Sequence, residues 1–447
     1  MSTVVPIERP APTPRSAGLR LGLLFGPSIF GVSAAGVALP AAASTLGITP
    51  STAAWILTVH ALALGVGTAL FGRLVDTWGA RRALLTGSVV LTAGAVVCLL
   101  APDLGTLLAG RFLLAAGSGA MTSGAVTMTA AGDPQRRGAV LAWFGAVVAV
   151  FAGSATLVGG MVTAAVTWRV ALVLPVLSLV GVALSLRVAP TQRGGGRVDV
   201  VGAVLLTLTA AAGLVLLQAP ALRLAVPAVA ALAVLVVAAA AALARWVRRT
   251  PEGFVPRALL GSGPYLRAAA AGAGVFGGLF AAMYAAPALL VTGRGWSVLA
   301  VGAALLPGAA LSAVASRLAG RLTPSGGRLL LATAAAATAL ALVAAGLTAA
   351  PGLVVGAASL AFVAFSTAQV VLTAQAAAAV APPQRGAGMG LLTLTFMVGG
   401  AVGSATAGGF TGAFGVGPAL AVAAVLPLAA AVVAVTNGSA GTDPPRG

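Results

Sequence analysis

Fourteen stretches of almost uncharged, apolar residues follow one another through this chain, each about as long as the 20 residues that cross a bilayer as a helix. They lie near 19–42, 50–72, 83–101, 104–130, 139–163, 170–187, 199–219, 223–245, 267–291, 297–316, 328–349, 352–378, 387–411 and 415–436. In hydrocarbon every backbone polar group must bond within the protein, so runs of this length fold as helices. Composition agrees: 60% of the 447 residues are hydrophobic and 7% charged, with a mean hydropathy of +1.08. A soluble domain carries about a quarter charged residues, and a disordered chain has the opposite balance. The expectation is an all-α polytopic membrane protein, with the lipid bilayer as its solvent.

The 25 basic residues are all Arg, against seven acids, for a net charge of +18. A basic balance can mean nucleic acid, but that needs a basic soluble surface; here the Arg residues sit between apolar runs, and no nucleic-acid partner is expected. Arg169, Arg223 and Arg294 fall between runs on one side and Arg111 falls inside a run. Every other Arg lies on the side of the N-terminus, and a miscounted helix would scramble that alternation. By the positive-inside rule both termini are cytoplasmic in a multi-pass protein of the cell membrane. The Pro-rich start, 1–18, lacks the order of a cleaved signal and reads as a disordered cytoplasmic tail, as does 437–447. The single Cys98 lies within an apolar run, which leaves no disulfide framework or metal site within one chain.

An internal repeat is visible at one fixed offset. Gly72-Arg73-Leu74 with Gly79 recurs as Gly320-Arg321-Leu322 with Gly327, and Pro134, Arg137, Gly138 and Ala139 recur as Pro382, Arg385, Gly386 and Ala387. Each half then holds six helices, an N-terminal bundle over 19–188 and a C-terminal bundle over 265–436. A linker, 189–264, carries an extra transmembrane hairpin, 199–245. Duplicated bundles of this kind are a transporter design, with substrate bound near midplane at the repeat interface.

These residues resemble the major facilitator superfamily, specifically its fourteen-helix drug/proton antiporter group, over nearly the whole chain. The strongest piece is Gly72-Arg-Leu-Val-Asp76-Thr-Trp-Gly79-Ala-Arg81-Arg82, similar to the superfamily's loop 2–3 signature at both Gly, the Asp and the basic pair. The resemblance implies that Gly72, Asp76, Gly79, Arg81 and Arg82 form the conformational switch; the second copy has Pro324 in place of the acid. Val37-Ala38-Leu39-Pro40, Trp55, Trp168-Arg169, Asp199-Val-Val-Gly202 and Arg385-Gly-Ala-Gly-Met also look like the fourteen-helix group. So does Leu108-Ala-Gly-Arg111 with Gly117, the motif with a buried Arg. Two departures stand out. The antiporter motif in the fifth helix keeps Gly159-Gly160 but lacks the usual Gly-Pro, and Gly31 stands where the group usually has a membrane-embedded Asp. All seven acids lie in tails, loops or at helix ends, so no carboxylate is expected at mid-membrane.

Two ionisable side chains remain well inside predicted spans. His60, the sole histidine, lies roughly 15 Å from the outer end of its helix. It is either a packed core residue or the one group there able to change charge near neutral pH. Arg111 must face the bundle interior or water, since a guanidinium in lipid costs at least about 2.5–3.5 kcal/mol. It either bonds backbone carbonyls and hydroxyls or meets substrate or a proton site. Phe276, Phe280, Met283 and Tyr284 share a face of the ninth helix and, with Phe365 and Gln369 of the twelfth, line a cavity or serve helix packing.

The chain is thus expected to be a secondary transporter, not an enzyme and without cofactors, exporting a small amphipathic compound by alternating access with proton coupling. The alternative is a facilitator or uniporter of the same fold. A membrane enzyme is disfavoured by the lack of Gly-x-Ser-x-Gly, of a phosphate-loop Lys and of any His/Cys/acid cluster. A receptor or scaffold would need no duplicated halves. With Arg111 as the one fixed charge in the membrane interior, neutral or anionic substrates are favoured over cations. A monomer is expected.

Overall fold

The computed structural model describes residues 13–131, 135–186, 199–220, 222, 224–380 and 385–436. The expected tails at 1–12 and 437–447, the connection 187–198, Asp133, Arg223 and the 382–384 turn lie outside the described residues, as does the side chain of Asp76. Among the described residues, fourteen helices are long and apolar enough to cross a membrane. They are α1 Pro14–Leu46, α2 Pro50–Val75, α3 Ala80–Leu100, α4 Leu104–Met128, α5 Ala139–Ala165, α6 Trp168–Ser185 and α7 Val200–Leu217. Then follow α8 Val226–Arg249, α9 Gly263–Thr292, α10 Val298–Arg321, α11 Pro324–Thr348, α12 Pro351–Ala379, α13 Ala387–Phe414 and α14 Val416–Thr436. The number is even, so α1 begins and α14 ends on one side, called here the termini side; the other is the far side.

Helix ends follow local chemistry that hydropathy does not see. The first helix begins at Pro14, inside the stretch expected to be tail, because Pro14 takes the first helical position and the Thr13 side chain accepts the Ser16 amide. It continues past the expected end to Leu46, where Gly47 turns left-handed at φ +63°. At the start of α4, Asp103 accepts the Thr106 amide at 2.9 Å and its hydroxyl at 3.0 Å. The Thr106 amide above all holds this carboxyl below its usual range. Proline goes with tighter winding in two spans: α1 winds as 3-10 helix over Gly26–Ile29 around Pro27, and α6 does so over Leu174–Leu177 around Pro175.

Within the first half α4 packs on α2 and α3, and α1 packs on α5; within the second, α9 packs on α12 and α13, and α11 on α12. Small residues let these backbones touch. At Gly94 and Gly117 an added methyl would run into Leu114 and Leu91 across the α3–α4 seam, and at Gly403 into Gly277 across the α9–α13 seam. Van der Waals contact of this kind is the main force available between helices where lipid removes the hydrophobic gain. The halves meet along α2 and α13, α1 and α9, and α5 and α10. The α5–α10 seam lies toward the far side: the Thr156 hydroxyl donates to the Gly302 carbonyl at 3.3 Å, and Gly160 lies against Val298 and Leu299. Toward the termini side, Leu141, Trp143 and Val150 of α5 are exposed. The outermost helix is α8, which packs on α7 and buries little beyond Ala239 and Val247.

Candidate functional site

The polar centre of the first half is built on Arg111, fully buried in α4. Its Nη2 donates to the Gly31 carbonyl of α1 at 2.6 Å, Nη1 to Leu172 of α6 at 2.8 Å, and Nε to Ile56 of α2 at 3.4 Å. One guanidinium therefore ties four helices together. The Leu172 carbonyl owes its place to the next turn: Pro175 cannot donate, the winding tightens, and Leu172 faces Arg111. Backbone carbonyls receive Arg111, as one of the two sequence readings has it.

His60 packs against the same Gly31. Its ring is fully buried, and neither Nδ1 nor Nε2 has a hydrogen-bond partner. A methyl group on Gly31 would overlap the ring at Nε2 and Cε1. Gly31, which stands where the resembled group usually has an Asp, is thus the residue that leaves room for the imidazole. We expect Gly31→Ala to lower the melting temperature by the equivalent of about 1–3 kcal/mol, the usual cost of overpacking. His60→Ala in the same chain should return most of that loss in a thermal unfolding assay. No recovery would mean that the two residues are not in steric contact.

The aromatic face of α9 divides. Phe276 packs its ring against Phe365 of α12 at 4.8 Å between centroids and Phe396 of α13 at 5.0 Å. Phe280 and Met283 are equally buried. Gln369 is half-buried on α12. Tyr284, one position further, lines a cavity of about 490 Å³ on the far side. The walls of this cavity come from both halves: Leu39, Pro40 and Ser44 of α1, Pro50 and Ala53 of α2, Val291 and Thr292 of α9, and Val298 of α10. Three hydroxyls, of Ser44, Tyr284 and Thr292, are the side-chain polar groups in an otherwise apolar lining. The Tyr284 hydroxyl donates to Thr411 Oγ1 at 3.2 Å, which leaves its oxygen free to accept. Such a space suits a small amphipathic molecule.

The signature around Gly72 lies on the termini side. Gly72 and the backbone of Asp76 belong to the last turns of the second helix, which runs to Trp78. Gly79 breaks it at φ +85°, a conformation that favours glycine. Arg81 and Arg82 are exposed at the start of α3. The sequence reading missed Arg73, which donates to the Gly253 carbonyl at 2.7 Å, and a buried far-side cluster in which Gln218 of the α7 end bonds Thr58, itself 2.8 Å from Ser404. Trp168-Arg169 stitches far-side ends together: the indole donates to Thr45 and the guanidinium to the Ala101 carbonyl.

Residues 21–378 match the Major Facilitator Superfamily. Among curated proteins, the chain is 36% identical over 200 residues to the cephamycin export protein CmcT of Amycolatopsis lactamdurans, covering 42% of this chain and 40% of that one. It is 31% identical over 180 residues to the MFS-type transporter EfpA of Mycobacterium tuberculosis, covering 39% of this chain and 34% of that one. With the puromycin resistance protein pur8 of Streptomyces alboniger the identity is 30% over 163 residues, covering 36% and 32%. The matched stretch spans well under half the length of each of these relatives. Among solved structures, a POT family transporter in complex with 5-aminolevulinic acid shares the fold with a TM-score of 0.67 over 96% of both chains, at 15% identity.

Proposed function

This chain belongs to the Major Facilitator Superfamily, and from that premise we propose that it exports a small neutral or acidic amphipathic compound across the cell membrane, driven by protons. It is a polytopic, all-α membrane transporter with an export protein and a resistance protein among its relatives; direction, substrate and coupling are our reading. The observation that carries the substrate class is the far-side cavity, apolar apart from three hydroxyls, with no charged side chain in its lining. Arg111 is no part of that lining and is taken up by three backbone carbonyls, and no carboxylate stands among the described mid-span residues to attract a cation.

In this reading both termini are cytoplasmic, following the Arg bias, and the cavity faces outward. The two halves rock about it as a monomer, with Gly72, Asp76, Gly79, Arg81 and Arg82 as the switch on the cytoplasmic side. His60 is the proton site, and Arg111 fixes the helices around it. The missing helix 1 carboxylate also supports a second reading, facilitated diffusion with no proton coupling.

One experiment separates these readings. Purified protein in liposomes is offered matched cationic, neutral and anionic amphipathic compounds, with and without an imposed pH gradient. We expect flux of the neutral and anionic members, accelerated by the gradient. Flux unaffected by the gradient would favour the facilitator. Transport confined to cations would overturn the substrate class, and no transport of any compound would overturn export.

A further inference from the structure

On the termini side one carboxylate gathers three separate parts of the central hairpin. Asp199 Oδ1 accepts the Gly202 amide at 2.8 Å, which caps α7. The Trp246 indole, near the end of α8, donates to both carboxylate oxygens at 3.0 and 3.1 Å. The Phe254 amide, beyond α8, donates to Oδ2 at 2.8 Å. Capping requires the first of these bonds alone; the other two bring distant chain onto the same group.

What they hold is a turn. Gly253 N–H donates to the Thr250 carbonyl and Arg257 N–H to the Pro251 carbonyl, both at 2.9 Å. The Phe254 side chain is buried, so the turn is fastened at its centre. A side chain at Gly253 would crowd Asp199 and the Thr250 carbonyl. With its amide and Cα held so, Gly253 presents its carbonyl to Arg73, which reaches it from the last turns of the second helix. Just past the turn, Leu259 is buried and lies beside Gly388 near the start of α13, and Tyr265 of α9 donates to the Gly388 carbonyl at 2.7 Å. The Arg73 bond therefore joins the end of α2, in the first half, to the segment that leads into the second.

We propose that Asp199 is a positioning residue for transport: it holds the 250–256 turn so that the Gly253 carbonyl grips Arg73, and it thereby makes the central hairpin part of the switch at the end of α2. The inference rests on the alternating-access reading above. A hairpin serving as lipid-facing bulk would need no carboxylate shared by α7, α8 and the following turn.

Hydrogen exchange on the purified full chain tests the linkage without any substrate. Asp199→Asn loses one acceptor oxygen and should speed exchange at least about fivefold in both 250–256 and 72–79, because the two segments open together. Arg73→Gln should do the same, and the double variant should exchange no faster than the faster single one, as expected for two residues acting through one contact. Arg73→Lys, which still reaches a single carbonyl, should resemble the unmodified protein. For the compound carried by the unmodified protein, Asp199→Asn should lower turnover severalfold with KM within about twofold.

If Asp199→Asn loosens 250–256 but leaves 72–79 unchanged, Asp199 is a local cap and the proposal fails. It fails equally if the effects on exchange multiply, or if exchange rises as expected while turnover stays normal. Should Asp199→Asn not fold, the Arg73→Gln and Arg73→Lys pair decides: no change in 250–256 with Gln, or no recovery with Lys, overturns the linkage. If the unmodified protein carries no compound, the export reading fails and the turnover role with it, while the exchange result stands by itself.

Discussion

Arg111→Leu should cost the folded protein about 3 kcal/mol or more, because it removes three hydrogen bonds from a charged donor, each of which contributes about 1.5–3 kcal/mol. In a thermal unfolding assay in detergent this is the largest loss we expect from any single substitution in the chain. The four helices joined at Arg111 share no other charged residue at that depth among the described residues. Hydrogen bonds to charged donors contribute about 1.5–3 kcal/mol each, whereas an average interhelical polar contact in a membrane protein is nearer 0.6 kcal/mol. The comparison matters because the three acceptors are not equal. Gly31 and Ile56 lie within regular helix, so their carbonyls lose a second partner; Leu172 lies at the Pro175 break and has more to lose. Arg111→Lys should recover part of the stability, since an ammonium can reach one or two of the carbonyls but lacks the planar fork that reaches all three. A variant that melts normally yet has lost transport would show that Arg111 serves substrate or proton, not the helices.

The contrast between what could be read from residues and what could not runs through that example. Fourteen spans are legible because each needs a long apolar run, and a few misplaced residues at an end do not hide it. Their ends are less legible: Thr13, Pro14 and Gly47 set the limits of α1 through caps and backbone angles, which hydropathy ignores. Arg111 announced itself as a charge in an apolar run, but its partners could not, because a backbone carbonyl has no residue type. The α9 stripe was legible as one helical face. Spacing alone does not separate Phe276, which meets two aromatic rings, from Tyr284, which meets a cavity. Asp199 was recognisable as part of a motif, whereas Trp246 and Phe254 bond it from far along the chain. Arg73 was counted among the basic residues of a loop, and its acceptor is again a carbonyl.

His60→Gln should leave downhill flux within about twofold of the unmodified protein and abolish its acceleration by a pH gradient, a qualitative loss. The argument begins with what surrounds the ring. Neither nitrogen has a partner, Gly31 closes one face, and the Gly31 carbonyl is already bonded to Arg111. Adding a proton therefore adds a second positive charge near the first, with no carboxylate among the described mid-span residues to receive it. Water must reach the ring for that charge to be tolerated, because an unpaired buried charge is far costlier than a hydrated one. In the proton-coupled reading, protonation is confined to conformations that open the core of the first half, and deprotonation favours the closed packing described here. A cycle of this kind couples proton movement to the conformational change with a neutral base in place of the missing carboxylate. Glutamine keeps a polar side chain of similar reach but cannot take up a proton near neutral pH, so the cycle would run without the gradient's drive. The measurement is initial flux into liposomes of one carried neutral compound, at fixed substrate and a series of imposed pH differences. The unmodified protein should give a rising line and the variant a flat one. A variant whose flux still rises with the gradient would move the proton site away from His60, to Asp76 or Asp199 as the next candidates.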